Sequence, residues 1–156
     1  MSTNNIEQKL AAMGLSLPVV PASKGIYKRC LVDNKHLYVS GHVSVNTDGS
    51  FISGKVGKDI TEEEAVIAAR QSGLAILSSI KDHLGSLDKV KRVIKLLGMV
   101  NSIPEFEKHA LIINGCSELF AQLWGEENGM GVRSAVGMGS LPGNVAVEIE
   151  GLFELY

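Results

Sequence analysis

The chain has 156 residues, 45% of them apolar and 21% charged, with a formal net charge of −2. That length suits one domain with a buried core, and the apolar content excludes a disordered chain. Near-neutral charge and few aromatics (three Tyr, four Phe, one Trp) leave no electrostatic footprint for nucleic acid, and no apolar run reaches the ~18 residues of a membrane-spanning helix.

The first residues, "MSTNNIEQKL", lack a positive region followed by an apolar stretch, so no secretory signal is expected. "NNIEQKLAAMG" reads as a short amphipathic helix. Ile6, Leu10 and Met13 share a face, Asn4 can cap it with Glu7 three residues on, and Gly14 stops it. "LSLPVVPASKG" is an extended linker. "IYKRCLVDNKHLYVSG" reads as a hairpin turning near Asp33-Asn34, and a second turn follows at Asp48-Gly49. The main helix starts at Thr61, which forms a capping box with Glu64, and ends near Leu84 before Gly85. Its apolar side holds Val66, Ala69, Gly73, Ile76, Leu77 and Ile80, several small enough for close packing on a sheet.

Residues 88–100 alternate and are rich in β-formers, so they predict a strand. A shorter helix is expected from about Asn114 to Trp124, with Ser102 capping a turn before it. Two more strands follow, joined by "GSLPGN". The order α-β-β-α-β-α-β-β indicates an α+β layer with helices on one sheet face. The whole chain, 1–156, is read as one domain, with residues 1–20 forming an N-terminal helix and linker extension.

In the last strand Val145, Val147, Ile149, Gly151, Phe153 and Leu155 share the expected core face, opposite Ala146, Glu148, Glu150, Leu152 and Glu154. The second sheet face is too apolar to be simply wet. A symmetric homo-oligomer is expected to cover it, withdrawing a face with Leu96, Ala135 and Leu152 from water.

Glu148 and Glu150 admit two readings, a catalytic carboxylate pair or a solvated sheet face. Arg133 can hold an anionic group through its planar fork or neutralise one of those glutamates. His36, His42, His83 and His109 show no metal-ligand spacing, so no metal is expected. Cys30 and Cys116 have no local histidine and form no disulfide framework, which makes a reducing cytosol the expected compartment. "GMGVRS" and "GKVGKD" fall short of nucleotide-binding motifs and read better as glycine turns.

The segment from Arg133 to Glu150 resembles the C-terminal signature of the Rid family, also called YjgF-type or endoribonuclease L-PSP-like proteins. The matching positions are Arg133, Ser134, Val136, Leu141-Pro142 and "VEIE" at 147–150. "GIYKRCLVDNKHLYVSG" is similar to a family segment that places Tyr27, Ser40 and Gly41 on known positions. The likeness covers roughly residues 20–156 and points to a branch with a longer N-terminus. It implies a chorismate-mutase-like α+β fold with a mixed sheet, and a homotrimer built around a β-barrel core with clefts between chains. The implied activity is hydrolysis of reactive enamines and imines to 2-keto acids and ammonia, without cofactor or metal. Arg133 would hold the carboxylate of a small metabolite and Glu148 would position water. Tyr27, Ser40, Gly41 and Ala135 would line the cleft. Ala135 stands where the family often has cysteine. Asn114 falls near a family asparagine, but two extra residues separate it from Arg133 and no role is carried to it. The rival readings are a trimer that binds a metabolite without turnover, and a ribonuclease or translation inhibitor, against which the charge balance argues.

Overall fold

The structure, a computed structural model, describes residues 5–156. Helix α1 (Ile6–Ala12) is capped by Asn5, whose side chain accepts from the Gln8 amide at 2.9 Å. The cap expected at Asn4 lies outside the described residues. The linker then runs over the surface, tied down by Ser78 Oγ donating to Pro18 O at 2.9 Å and by the Val19 amide donating to Thr47 O.

Strands β1 (Cys30–Asp33) and β2 (His36–Val43) form the expected hairpin, with Asn34 left-handed at φ 55° in its turn. Asp48-Gly49 make the second turn. There Asp48 accepts from the Ser50 amide and hydroxyl, which holds its carboxyl below the usual carboxylate range. Helix α2 (Glu62–Leu84) begins with the complete Thr61–Glu64 capping box and stops at Gly85, left-handed at φ 83°. Both ends therefore follow from local chemistry, because a cap satisfies amides that have no partner within the helix.

Strand β3 (Val90–Asn101) leads to helix α3 (His109–Gly129) and then β4 (Val132–Met138) and β5 (Val147–Leu155). Helix α3 begins five residues before the expected Asn114 and continues past Trp124, with a break at Gly125 (φ 79°, ψ 170°). Tertiary packing recruits the extra turn: Ile112 and Ile113 are fully buried, and Ile113 lies over Gly98 of β3, where any Cβ would collide with it. Helices α2 and α3 cross closely, since a methyl at Gly115 would run into the Val66 carbonyl oxygen.

The sheet order is β1-β2-β5-β3-β4. All neighbours are antiparallel except β3 and β4, which are parallel and joined through α3. Both long helices pack on one face, and the core between layers holds Leu37, Ile76, Leu77, Phe120, Ile149 and Phe153. This is a mixed α+β architecture, a five-stranded mixed sheet backed by helices on one face.

The faces of β5 match the alternation, but β3 departs from it. Register shifts at Val90/Arg92 and Val93/Lys95 put Val90, Val93, Leu96, Gly98 and Val100 on the buried side. Leu96 is thus core, 3% exposed, and Ala135, opposite Gly98, shares its side. Of the three residues expected together on the open face, only Leu152 lies there. That face carries Leu31, Tyr38, Leu97, Val136 and Leu152 with Lys95 and Glu150 among them, and Leu31 and Tyr38 are about half exposed. Among the described residues no helix is long and apolar enough to cross a membrane.

Candidate functional site

The cavity nearest the sequence-derived residues is built where β2 meets β5. Pairing between these strands is interrupted between Val39 and His42, which displaces Ser40 and Gly41 from regular register. Glu148, opposite Val43, lays its carboxylate over the Gly41 backbone so closely that any side chain at Gly41 would occupy the same space. Glu148, Gly41 and Tyr27 line one cavity of about 360 Å³, with Arg29, His42 and Phe51 in its wall. Glu148 is half-buried and receives no hydrogen bond from a described residue. Burial, and then the neighbouring Glu150 charge, push its carboxyl above the ordinary 4.5. A carboxylate so placed can accept a proton from water more readily than an exposed one.

Ser40 is turned elsewhere. Its hydroxyl donates to Lys28 O at 2.6 Å and its amide to Arg29 O at 2.9 Å, so it ties the β2 end to the segment before β1. It borders a separate hollow of about 590 Å³ on the open sheet face, beside Tyr38, Lys95 and Glu150.

Arg133 lies apart from Glu148. It projects from β4 onto α3, donating from Nη1 to Ser117 Oγ at 3.0 Å and from Nη2 to Ala110 O at 3.2 Å. With Asn114, Ser117 and Leu96 it lines a smaller recess of about 220 Å³, and Ala135 follows on the same side. Arg133 faces the helices while Glu148 and Glu150 face away from them, with β3 between β4 and β5. Within one protomer the two cannot meet, so the ion-pair reading of Arg133 with these glutamates does not hold inside the chain. The ion pairs on this part of the sheet join Glu154 to Lys91 at 2.8 Å and Arg92 at 3.0 Å.

His42, near the end of β2, carries no sequence signal beyond its lack of metal-ligand spacing. It is 4% exposed and engages both ring nitrogens. The carbonyl of Ser40 can only accept, so Nδ1–H donates to it at 2.6 Å. In the neutral ring Nε2 then accepts from Ser79 Oγ at 2.7 Å. Burial lowers the His42 pKa, the Ser40 bond opposes this, and the Arg29 charge adds to the lowering. The neutral ring clamps the irregular Ser40-Gly41 step on which the Glu148 carboxylate rests.

Both thiols are buried; desolvation lifts Cys30 to about 11 and Cys116 to about 12, so neither presents a thiolate nucleophile at neutral pH. No group of three or more His, Cys, Asp or Glu side chains suited to a metal occurs among the described residues. Lys55 of "GKVGKD" donates to Asn101 Oδ1 at 2.9 Å and Gly139 O at 2.8 Å, a structural tie.

The sequence model described as "YjgF/chorismate mutase-like, putative endoribonuclease" matches residues 7–148. Protein TCP17 of Trypanosoma cruzi is 36% identical over 155 residues, 99% of this chain and 97% of its own. The crystal structure of Atu1372 from Agrobacterium tumefaciens, a protein of unknown function, superposes with a TM-score of 0.88 at 39% identity, covering 99% of this chain and 96% of that one. A Shewanella oneidensis MR-1 structure carrying the same endoribonuclease description reaches a TM-score of 0.91 at 26% identity, over 97% and 99% of the two chains.

Proposed function

Because the chain belongs to the YjgF/chorismate mutase-like family, we propose that it hydrolyses reactive 2-enamines and 2-imines to 2-keto acids and ammonia. The observation that carries this reading is Glu148, a half-buried carboxyl with a raised pKa, facing a cavity that Tyr27 and Gly41 share. An enamine first tautomerises to the imine, whose carbon is already electrophilic. Water adds to that carbon as Glu148 takes one of its protons. Glu148 passes that proton to the nitrogen, giving a neutral carbinolamine; it then takes the hydroxyl proton as C=O forms and delivers it to the nitrogen as the C–N bond breaks and ammonia leaves. One water is consumed, no electrons are exchanged, and no metal or cofactor is required.

The substrate carboxylate is assigned to Arg133. Since Arg133 and Glu148 lie on opposite sides of the sheet in one protomer, the working site joins Arg133 of one copy to Glu148 and Tyr27 of the next. A homotrimer with its open sheet faces turned inward provides such a junction. Ala135 leaves room beside the guanidinium, and Ser40 supports the cleft through the Lys28 and Arg29 backbone rather than touching the ligand.

A second reading is favoured by one contact set. Two guanidinium donors of Arg133 are already used by Ser117 and Ala110, which suits an arginine that pins β4 to α3 in a metabolite-binding trimer without turnover. A ribonuclease would need a basic surface, and a net charge of −2 does not supply one. The deciding experiment generates imino acids with an amino-acid oxidase and follows their loss with wild type and Arg133→Ala. Losing one partner of a buried charged contact costs about 2–5 kcal/mol, so kcat/KM should fall roughly thirty-fold or more with assembly intact. An assembled variant with undiminished hydrolysis removes Arg133 from the site. A variant that melts early or dissociates supports the structural role.

A further inference from the structure

The cavity beside Glu148 is lined by two basic side chains, the exposed Lys24 and the half-buried Arg29, and the proposed chemistry has no use for the second. Arg29 directly precedes β1, is half-buried, and lines that cavity with Tyr27, His42 and Glu148. Its main chain is anchored, because Arg29 O accepts the Ser40 amide at 2.9 Å. The other arginines all have partners: Arg70 donates to Gln122 Oε1, Arg92 pairs with Glu154, and Arg133 donates to Ser117 and Ala110. The Arg29 guanidinium makes no hydrogen bond or ion pair with a described residue. Asp82, which borders a depression on its other side, stays beyond ion-pair distance.

A half-buried guanidinium has lost part of its hydration, and its five donors normally recover that loss by binding a planar anion. Glu148 lines the same cavity but forms no ion pair with Arg29. The volume of about 360 Å³ lies within the range of ordinary small-molecule pockets and takes a side chain longer than that of the smallest imino acids.

We propose that Arg29 binds a second anionic group, so that the preferred substrate is a 2-imino acid bearing a distal carboxylate. This rests on the imine-hydrolase reading above, in which Arg133 of the neighbouring copy holds the first carboxylate. The distal carboxylate meets Arg29, and the imine carbon lies between the two cations near Glu148. The reaction is unchanged: a dicarboxylic imine and water give a dicarboxylic 2-keto acid and ammonia.

Calorimetric titration of the full chain with 2-oxoglutarate and 2-oxobutyrate, stable keto acids with and without the distal carboxylate, tests the assignment. Wild type should bind 2-oxoglutarate about tenfold or more tightly than 2-oxobutyrate at low ionic strength. Arg29→Gln should erase most of that preference, and Arg29→Lys, which keeps the charge but loses the fork, should retain part of it. Arg133→Ala should weaken both ligands. Equal affinity of wild type for the two keto acids overturns the inference and leaves the first carboxylate site standing. So does a preference that survives in Arg29→Gln, or in Arg29→Lys undiminished. Failure of wild type to bind either ligand removes the imine-hydrolase reading and the Arg29 inference together. If Arg29→Gln does not fold, the wild-type comparison and Arg29→Lys still decide.

Discussion

At Glu148 chemistry and stability pull in opposite directions. Its carboxyl is raised above 4.5 by burial first and the Glu150 charge second. A raised folded pKa contributes stability that is fully present below the unfolded value and lost as pH rises through the folded one. Near neutral pH the ionised Glu148 therefore costs stability. Glu148→Gln keeps the shape and removes the charge, so its melting temperature should exceed wild type near neutral pH, with the gain vanishing below pH 4.5. Imine hydrolysis by the same variant should fall about a hundredfold, the lower end of what a positioned base contributes. Melts at both pH values beside the turnover assay check this, and a lower melting temperature near neutral pH would contradict it. His42 has the opposite sign. Its pKa is depressed below 6.5, chiefly by burial, so its contribution is present above 6.5 and lost as pH falls through the folded value. His42→Gln cannot titrate, and its melting temperature should decline less steeply than wild type on acidification below pH 6.5.

At the scale of elements, local signals and packing divide the work. Both ends of helix α2 were readable, since the Thr61–Glu64 box and Gly85 act within one turn of them. Helix α3 was not: Lys108 at its start makes no side-chain cap, and burial of Ile112 and Ile113 against β3 extends it instead. The crossing of α2 and α3 depends on Gly115, whose neighbour is the Val66 backbone, which cannot swing away as a side chain would. Gly115→Ala should cost about 1–3 kcal/mol in a urea unfolding curve despite the better helix propensity of alanine. A variant as stable as wild type would mean that the two helices sit further apart.

For the whole molecule, the informative surface is the sheet face without helices. Leu31 at 50% and Tyr38 at 47% exposure stand there beside Leu97, Val136 and Leu152, an apolar area that association would cover. The same association would bring Arg133 and Glu148, separated within the protomer, into one cleft. Light scattering at micromolar concentration should give three times the protomer mass. A stable monomer would leave the proposed site incomplete and overturn it.

The amino-acid sequence by itself determined the element order, the α2 boundaries, the hairpin turn at Asn34, the core face of β5 and the family motif from Arg133 to Glu150. These depend on caps, turn residues and alternation, which act over a few neighbours along the chain. Only the tertiary structure decided which face Leu96 and Ala135 occupy, because two register shifts in β3 break the alternation that a sequence pattern must assume. It alone turned Arg133 toward α3 and Ser40 toward the Lys28 backbone, and it gathered Tyr27, Arg29, His42 and Glu148 around one cavity. Those placements are set by cross-strand register and by which helix covers which strand, and both are contacts between residues far apart in the chain.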